Sequence, residues 1–303
     1  MHISTTVNFL IPPFITSFDA CVEEMQRYKD LGFSHLDAIL CGAASPGSPV
    51  DTDAWKDWAC RIRSEADRIG ITFIQSHVPF YNFIVPPKNL PDNMEELTDR
   101  CIEIAAILGA DYTVAHPATA LGAGMVKEAS FAANYDFFSR RLETSARCGA
   151  GIALENMADF DGGGRNRWYC AWVEELCELI DRLDRGSGLV AACWDFGHAN
   201  LVYPSQKDAL LYLGKRLKVT HVHDNSGLRD EHLSPFRGNV KWRENMAALA
   251  RMGYDRDLSF EVRRILDADA SQAIIDSLWR HLRVVGDCLA GMFEEERTKI
   301  KAL

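Results

Sequence analysis

Short apolar or β-branched runs alternate along this chain with longer stretches in which apolar residues recur at helical spacing. The short runs predict strands over residues 3–9, 35–40, 72–77, 112–116, 152–155, 190–195, 219–223 and 258–262. The longer stretches predict helices over 18–31, 53–69, 94–108, 129–148, 169–183, 206–213 and 243–251, with a last one from 271 to about 297. Gly32, Gly70, Gly109, Gly149 and Gly253 each follow a helical stretch by one or two residues, where a left-handed residue closes a helix. Eight β-then-α units in series make a parallel sheet that closes on itself. The expected fold is therefore a (β/α)8 TIM barrel, one domain over 1–303. A doubly wound open sheet is the alternative, but no GxGxxG follows its first strand.

In such a barrel, chemistry collects at the C-terminal ends of the strands. Strand three ends at His77 (SHVPF) and strand four at His116 (VAHPA). Strand five ends at Glu155 (ALENM), and strand six at Asp195 and His198 (CWDFGHANL). Strand seven ends at His221, His223 and Asp224 (THVHDN), and strand eight at Glu261 (LSFEV). The loop after strand seven adds Asp230 and His232. Glu155, Asp195 and Glu261 directly follow apolar strand residues, where an unpaired carboxylate costs several kcal/mol. Three carboxylates at one mouth repel, and a divalent cation with imidazoles in its shell relieves that. Carboxylates and imidazole without thiolate suit Mn, Mg, Co or Zn. His223 alternates with His221 and points the same way along the strand, but its expected place is behind the ligands or at the surface and not in the mouth itself; Asn156, Asp224 and Asn225 are placed to orient imidazoles.

Charge narrows the choice of substrate. The formal net charge is −10, and the densest basic runs, 61–68 and 140–147, are spaced as solvated helix faces. That argues against a nucleic-acid partner, which would need a basic stripe. The nine cysteines are scattered without a CxxC pair and read as free thiols. No leader and no apolar run long enough for a membrane span is seen, so the expected location is the cytoplasm. Glu294–Glu296 with Arg297, Lys299 and Lys301 reads as a solvated tail or as the contact of a homo-oligomer.

The motifs ALEN, DFGH, HVHDN followed by DEH, and FEV, in this order, resemble the xylose-isomerase-like barrel superfamily. It includes sugar-phosphate isomerases and epimerases and the endonuclease IV type of repair enzyme. The resemblance to its ketose epimerases implies a metal on Glu155, Asp195, His221 and Glu261, with Glu155 and Glu261 as catalytic proton carriers. It assigns His198 to substrate oxygens near the carbonyl, and His77, His116, Asp230 and His232 line the same substrate mouth. The resemblance to endonuclease IV instead implies three zinc ions on His77, His116, Glu155, Asp195, His198, His221, Asp230, His232 and Glu261. Two positions depart from the epimerases. Gly227 stands where they place a substrate-holding arginine, and the loop after His232 reads SPFRGNVKW.

The leading expectation is thus a metal-dependent isomerase or epimerase of a small ketose or keto-sugar, working through an enediolate. A lyase or dehydratase on a keto-sugar or inositol derivative shares the same proton abstraction. A phosphodiesterase is the third reading and a non-catalytic binding barrel the last. Arg165, Arg167 and Arg237, in mouth-side loops, are candidates for a substrate phosphate or carboxylate. Phe9, Phe80, Tyr81, Trp168, Trp194 and Trp242 are candidates for stacking on a sugar.

Overall fold

The computed structural model describes residues 1–122, 124–158, 167–262 and 270–302. Its strands are β1 (Ile3–Val7), β2 (His35–Ile39), β3 (Thr72–His77), β4 (Tyr112–Ala115), β5 (Gly151–Glu155), β6 (Val190–Asp195), β7 (Leu217–His221) and β8 (Leu258–Phe260). Each lies parallel to its sequence neighbour from β1 to β7, and β8 pairs with β1. The ring closes just beyond β7, where Val222 bridges Phe260 and its N–H donates to Ser259 O at 2.7 Å. This is the (β/α)8 barrel the alternation predicts.

The outer layer holds α1 (Phe18–Asp30), α2 (Trp55–Ile69), α3 (Met94–Leu108), α4 (Lys127–Cys148), α5 (Val173–Asp184), α6 (Phe196–Asn200), α7 (Lys207–Leu213), α8 (Trp242–Met252) and α9 (Gln272–Lys301). In α5 the buried residues Val173, Leu176, Cys177, Ile180 and Leu183 recur every three or four positions, so one face seats on the sheet. The five glycines expected to end helices all have positive φ. Along α9, Trp279, Leu282, Val285, Leu289 and Phe293 are buried, and a Cβ on Gly286 would lie 2.7 Å from Ile3 and 3.0 Å from Phe260. Glycine thus lets α9 lie directly on the β1–β8 seam. The acidic tail of α9 packs along α8 through Glu295–Arg243 and Glu296–Arg251 pairs.

Strand alternation divides the core. Ile152, Leu154, Ala192 and Trp194 face outward into the main apolar cluster under the helices. Val114, Ala153, Ala191, Cys193 and Val219 form a small separate cluster inside the ring. Continuing that inner phase to the strand ends directs His116, Glu155, Asp195 and His221 to one spot above the inner cluster.

Candidate metal centre at the barrel mouth

Glu155 is 1% exposed. Its Oε2 lies 2.8 Å from His116 Nε2, 3.3 Å from His221 Nδ1 and 3.5 Å from His77 Nε2. Its Oε1 lies 3.2 Å from His198 Nδ1. His221 Nδ1 is also 3.3 Å from Glu261 Oε2 and 3.9 Å from Asp195 Oδ2, and it is buried without a hydrogen bond. One ligand atom each from Glu155, Asp195, His221 and Glu261 falls within 4.8 Å of the others, and all four residues are buried. Asp195 and His221 are direct partners in the β6–β7 register, so the barrel backbone sets their separation.

Asp195 has two tasks. Its Oδ1 accepts from His198 N at 2.7 Å and caps α6, while Oδ2 turns toward His221. Asn156 clamps its main chain: Asn156 Oδ1 accepts from Asp195 N at 2.6 Å, and Nδ2 donates to Asp195 O at 3.0 Å. Beneath His221 sits Asp37, fully buried in β2, with Oδ2 3.4 Å from His221 Nε2 and accepting from Gln75 Nε2 at 2.8 Å.

The imidazoles share a constraint. His77 Nδ1 meets Val78 O at 2.7 Å, His198 Nδ1 meets Asn156 O at 3.0 Å and His232 Nδ1 meets Glu261 O at 2.8 Å. A carbonyl only accepts, so each Nδ1 carries a proton and each Nε2 is left to face the mouth. Those Nε2 atoms face carboxylates: Glu155 at 3.5 Å from His77, and Asp230 at 3.7 Å from His198 and 2.8 Å from His232. Buried carboxylates and imidazoles converging on one point make an electronegative spot that favours a cation, whether a proton on an imidazole or a metal ion.

The electrostatics agree. Burial disfavours charge on His221, yet Cys193, Glu155 and Glu261 around it outweigh that and raise its pKa well above an ordinary histidine. His198 is likewise raised against its burial, by Asp195, Asp230 and Glu155, and His77 by Cys41 and Glu155. Burial would raise Glu155, but His116 and His221 hold it well below the ordinary carboxylate range. For His116 burial wins, and its pKa is lowered. The buried oxygen and nitrogen set therefore fits a divalent cation, with Glu155, Asp195, His221 and Glu261 as the residues able to hold it.

A family model for xylose isomerase-like TIM barrels matches residues 25–281. The chain belongs to this family. An uncharacterized protein of Methanocaldococcus jannaschii is 30% identical over 222 residues, 71% of each chain. An uncharacterized protein of Sinorhizobium fredii is 30% identical over 173 residues, 55% of this chain and 51% of that one. Among solved structures, a D-tagatose 3-epimerase-like protein superposes with a TM-score of 0.71 at 22% identity, covering 99% of this chain and 100% of that one. An L-ribulose 3-epimerase superposes with a TM-score of 0.72 at 14% identity, covering 100% and 98%. The 3-keto-D-glucoside 4-epimerase of E. coli superposes with a TM-score of 0.68 at 18% identity, covering 94% and 99%. At these identities the likeness to the solved structures is one of fold.

Within this xylose isomerase-like barrel, His77, His116, His198, Asp230 and His232 all join the mouth cluster. Arg237 does not: it is exposed and lines a separate cavity of about 330 Å³ between the loop after β7 and α9, with Phe236, His281 and Leu282. Arg167 is buried and committed to Glu175 through contacts of 2.6 and 2.7 Å, so its guanidinium is not available to a substrate. Arg165 and Gly162–Gly164 lie outside the described residues. Phe9, Trp194 and Trp242 are buried in the core, with Trp194 Nε1 donating to Gln206 and Trp242 Nε1 to Asp224. Tyr81 packs on Phe83 and Phe137, whereas Phe80 is 58% exposed with its ring 4.4 Å from that of His116. Asp224 orients no imidazole; it accepts from Asn225 N, Val240 N, Phe236 N and Trp242 Nε1, holding the loop from 225 to 242. In the basic runs, Arg63, Arg68, Arg140 and Arg147 pair at the surface, but Arg141 is buried with its guanidinium 3.6 Å from the Phe137 ring centre. Nine cysteines are free. A cavity of about 390 Å³ bounded by Thr72, Gln75, Lys218 and Asp257 opens at the opposite end of the barrel, away from this chemistry.

Proposed function

We propose that this barrel is a divalent-metal-dependent isomerase or epimerase of a small ketose or keto-sugar. The observation that carries the reading is the approach of Glu155 Oε2 and Glu261 Oε2, each to 3.3 Å from His221 Nδ1, from strands on different sides of one buried point. When bound, a cation held by Glu155, Asp195, His221 and Glu261 polarises a carbonyl and the neighbouring hydroxyl and acidifies the C–H between them. One glutamate removes that proton, and the substrate becomes its enediolate. The other glutamate, protonated, returns a proton to the opposite face in epimerisation; delivery to the adjacent carbon gives isomerisation. His198, its Nδ1 anchored on Asn156 O, presents Nε2 to substrate oxygens near the carbonyl. Asp230 and His232 bind hydroxyls farther out, and Phe80 offers an exposed ring beside His116. That the structural neighbours bear the names of sugar 3- and 4-epimerases supports the reading.

A second reading, metal-assisted phosphodiester hydrolysis, draws on the His77–His116–Glu155 group, whose ligand atoms also lie within 4.8 Å of one another. The net charge of −10 counts against a nucleic-acid substrate. Elemental mass spectrometry of protein purified without chelator separates the two. One Mn, Mg or Co per chain, kept in His116→Ala and lost in Glu155→Gln, is the expected result. Two or three zinc ions, some lost in His116→Ala, would favour hydrolysis. No metal even after adding it back would overturn both.

A further inference from the structure

We propose that His223 positions Asp195 for the metal, and that residue 197 is glycine because the His223 ring fills the space a side chain there would take. The inference rests on the metal centre proposed above and adds a residue to it.

His223 shares the alternation of His221 but does not line an open mouth. It is fully buried behind Asp195, with Nε2 2.9 Å from Asp195 Oδ2. An ionised carboxylate only accepts, so Nε2 is the donor. Asp195 Oδ1 is already taken by His198 N at 2.7 Å, and the main chain is clamped by Asn156. The His223 bond therefore fixes the remaining freedom, the direction of Oδ2, the oxygen that faces His221 Nδ1. The ring itself is held in place. It stacks on His232 at 4.0 Å and 17°, with Nδ1 3.8 Å from Asp230 Oδ1. On its other side is Gly197, where a Cβ would lie 1.9 Å from Cε1, 2.3 Å from Nδ1 and 2.7 Å from Nε2 of the ring. No contact that close is tolerated, so any side chain at 197 expels the imidazole from its bond to Asp195.

The test is calorimetric titration of the full, chelator-stripped chain with MnCl2. His223→Ala and Gly197→Ala should each weaken Mn²⁺ binding by about 10- to 100-fold, the usual loss when a partner of a metal ligand is removed. His223→Gln places an amide N–H where Nε2 was and should bind close to wild type. Gly197→Ala combined with His223→Ala should be no weaker than the weaker single variant, since the ring that the new Cβ would expel is already gone. Melting of the metal-free variants checks folding; if His223→Ala does not fold, the contrast between His223→Gln and Gly197→Ala carries the same comparison. Unchanged affinity in Gly197→Ala, a Gln variant as weak as Gly197→Ala, or losses that multiply in the double variant would overturn the role of His223. Wild-type protein that binds no Mn²⁺ would overturn the metal centre itself, and this inference with it.

Discussion

At the scale of single residues, the mouth is built from side chains with one end tied down. Three imidazoles are anchored through Nδ1 on backbone carbonyls, and His221 stands on Asp37. Asp37→Ala should therefore loosen His221 and weaken Mn²⁺ binding by about 10- to 100-fold, measured by the same titration. On the proposed mechanism Glu155 is both a ligand and a proton carrier, so in Glu155→Gln turnover of an identified substrate should fall by about 10²- to 10⁴-fold. Most of this cluster was legible from carboxylates and histidines set after apolar strand residues. Asp37 was not singled out, although HLDAI sets an acid inside an apolar strand just as ALENM does. It stands mid-strand, and attention to strand ends passes it by. The anchoring carbonyls of Val78, Asn156 and Glu261 leave no trace in side-chain identity at all.

At the scale of elements, two buried polar knots, one of them an ion pair, hold the mouth-side loops. Asp224 accepts four hydrogen bonds that span residues 225 to 242. Asp224→Ala strands those donors and should lower stability by about 3 kcal/mol or more, read by chemical denaturation. Arg167 and Glu175 form a bidentate pair with side chains 9% and 3% exposed, and Glu175 Oε2 also accepts from Cys170 N. Arg167→Leu leaves a buried carboxylate unpaired and should cost about 3–5 kcal/mol, much of it recovered when Glu175→Leu is added. The knot also explains why α5 starts at Val173 and not near residue 169. Cys170 sits at φ 65, a left-handed turn no helix accommodates. Helix α6 was not foreseen because five residues are too few to show a period, and its start rests on the Asp195 cap. Strand β7 ends at His221 and not at 223, because residues 222–224 leave β6 to bond β8 and the loop: Val222 bridges Phe260 and Asp224 bridges Leu233.

At the scale of the whole molecule, the order of the strands was readable because eight parallel neighbours follow chain order, with β8 returning to β1. The seat of α9 on the β1–β8 seam depends on Gly286 meeting Ile3 and Phe260, a long-range contact that no local pattern encodes. Among the described residues, no helix is long and apolar enough to cross a membrane. A metal held, as proposed, by residues from four strands would couple its binding to folding. Saturating Mn²⁺ at 100 times its Kd should add about 2.7 kcal/mol to wild-type stability. The gain should vanish in Glu155→Gln, as followed by thermal melting with and without chelator.

Proton transfer at a carbon beside a carbonyl leaves a direct trace in solvent exchange. Metal-loaded protein would be incubated in D2O with a panel of ketopentoses, ketohexoses and keto-glycosides, and each sugar followed by proton NMR. Deuterium is expected at the carbon next to the carbonyl of at least one sugar, dependent on metal and lost in Glu155→Gln and Glu261→Gln. No exchange with any member of the panel, together with metal-dependent cleavage of a phosphodiester, would contradict the proposed proton transfer.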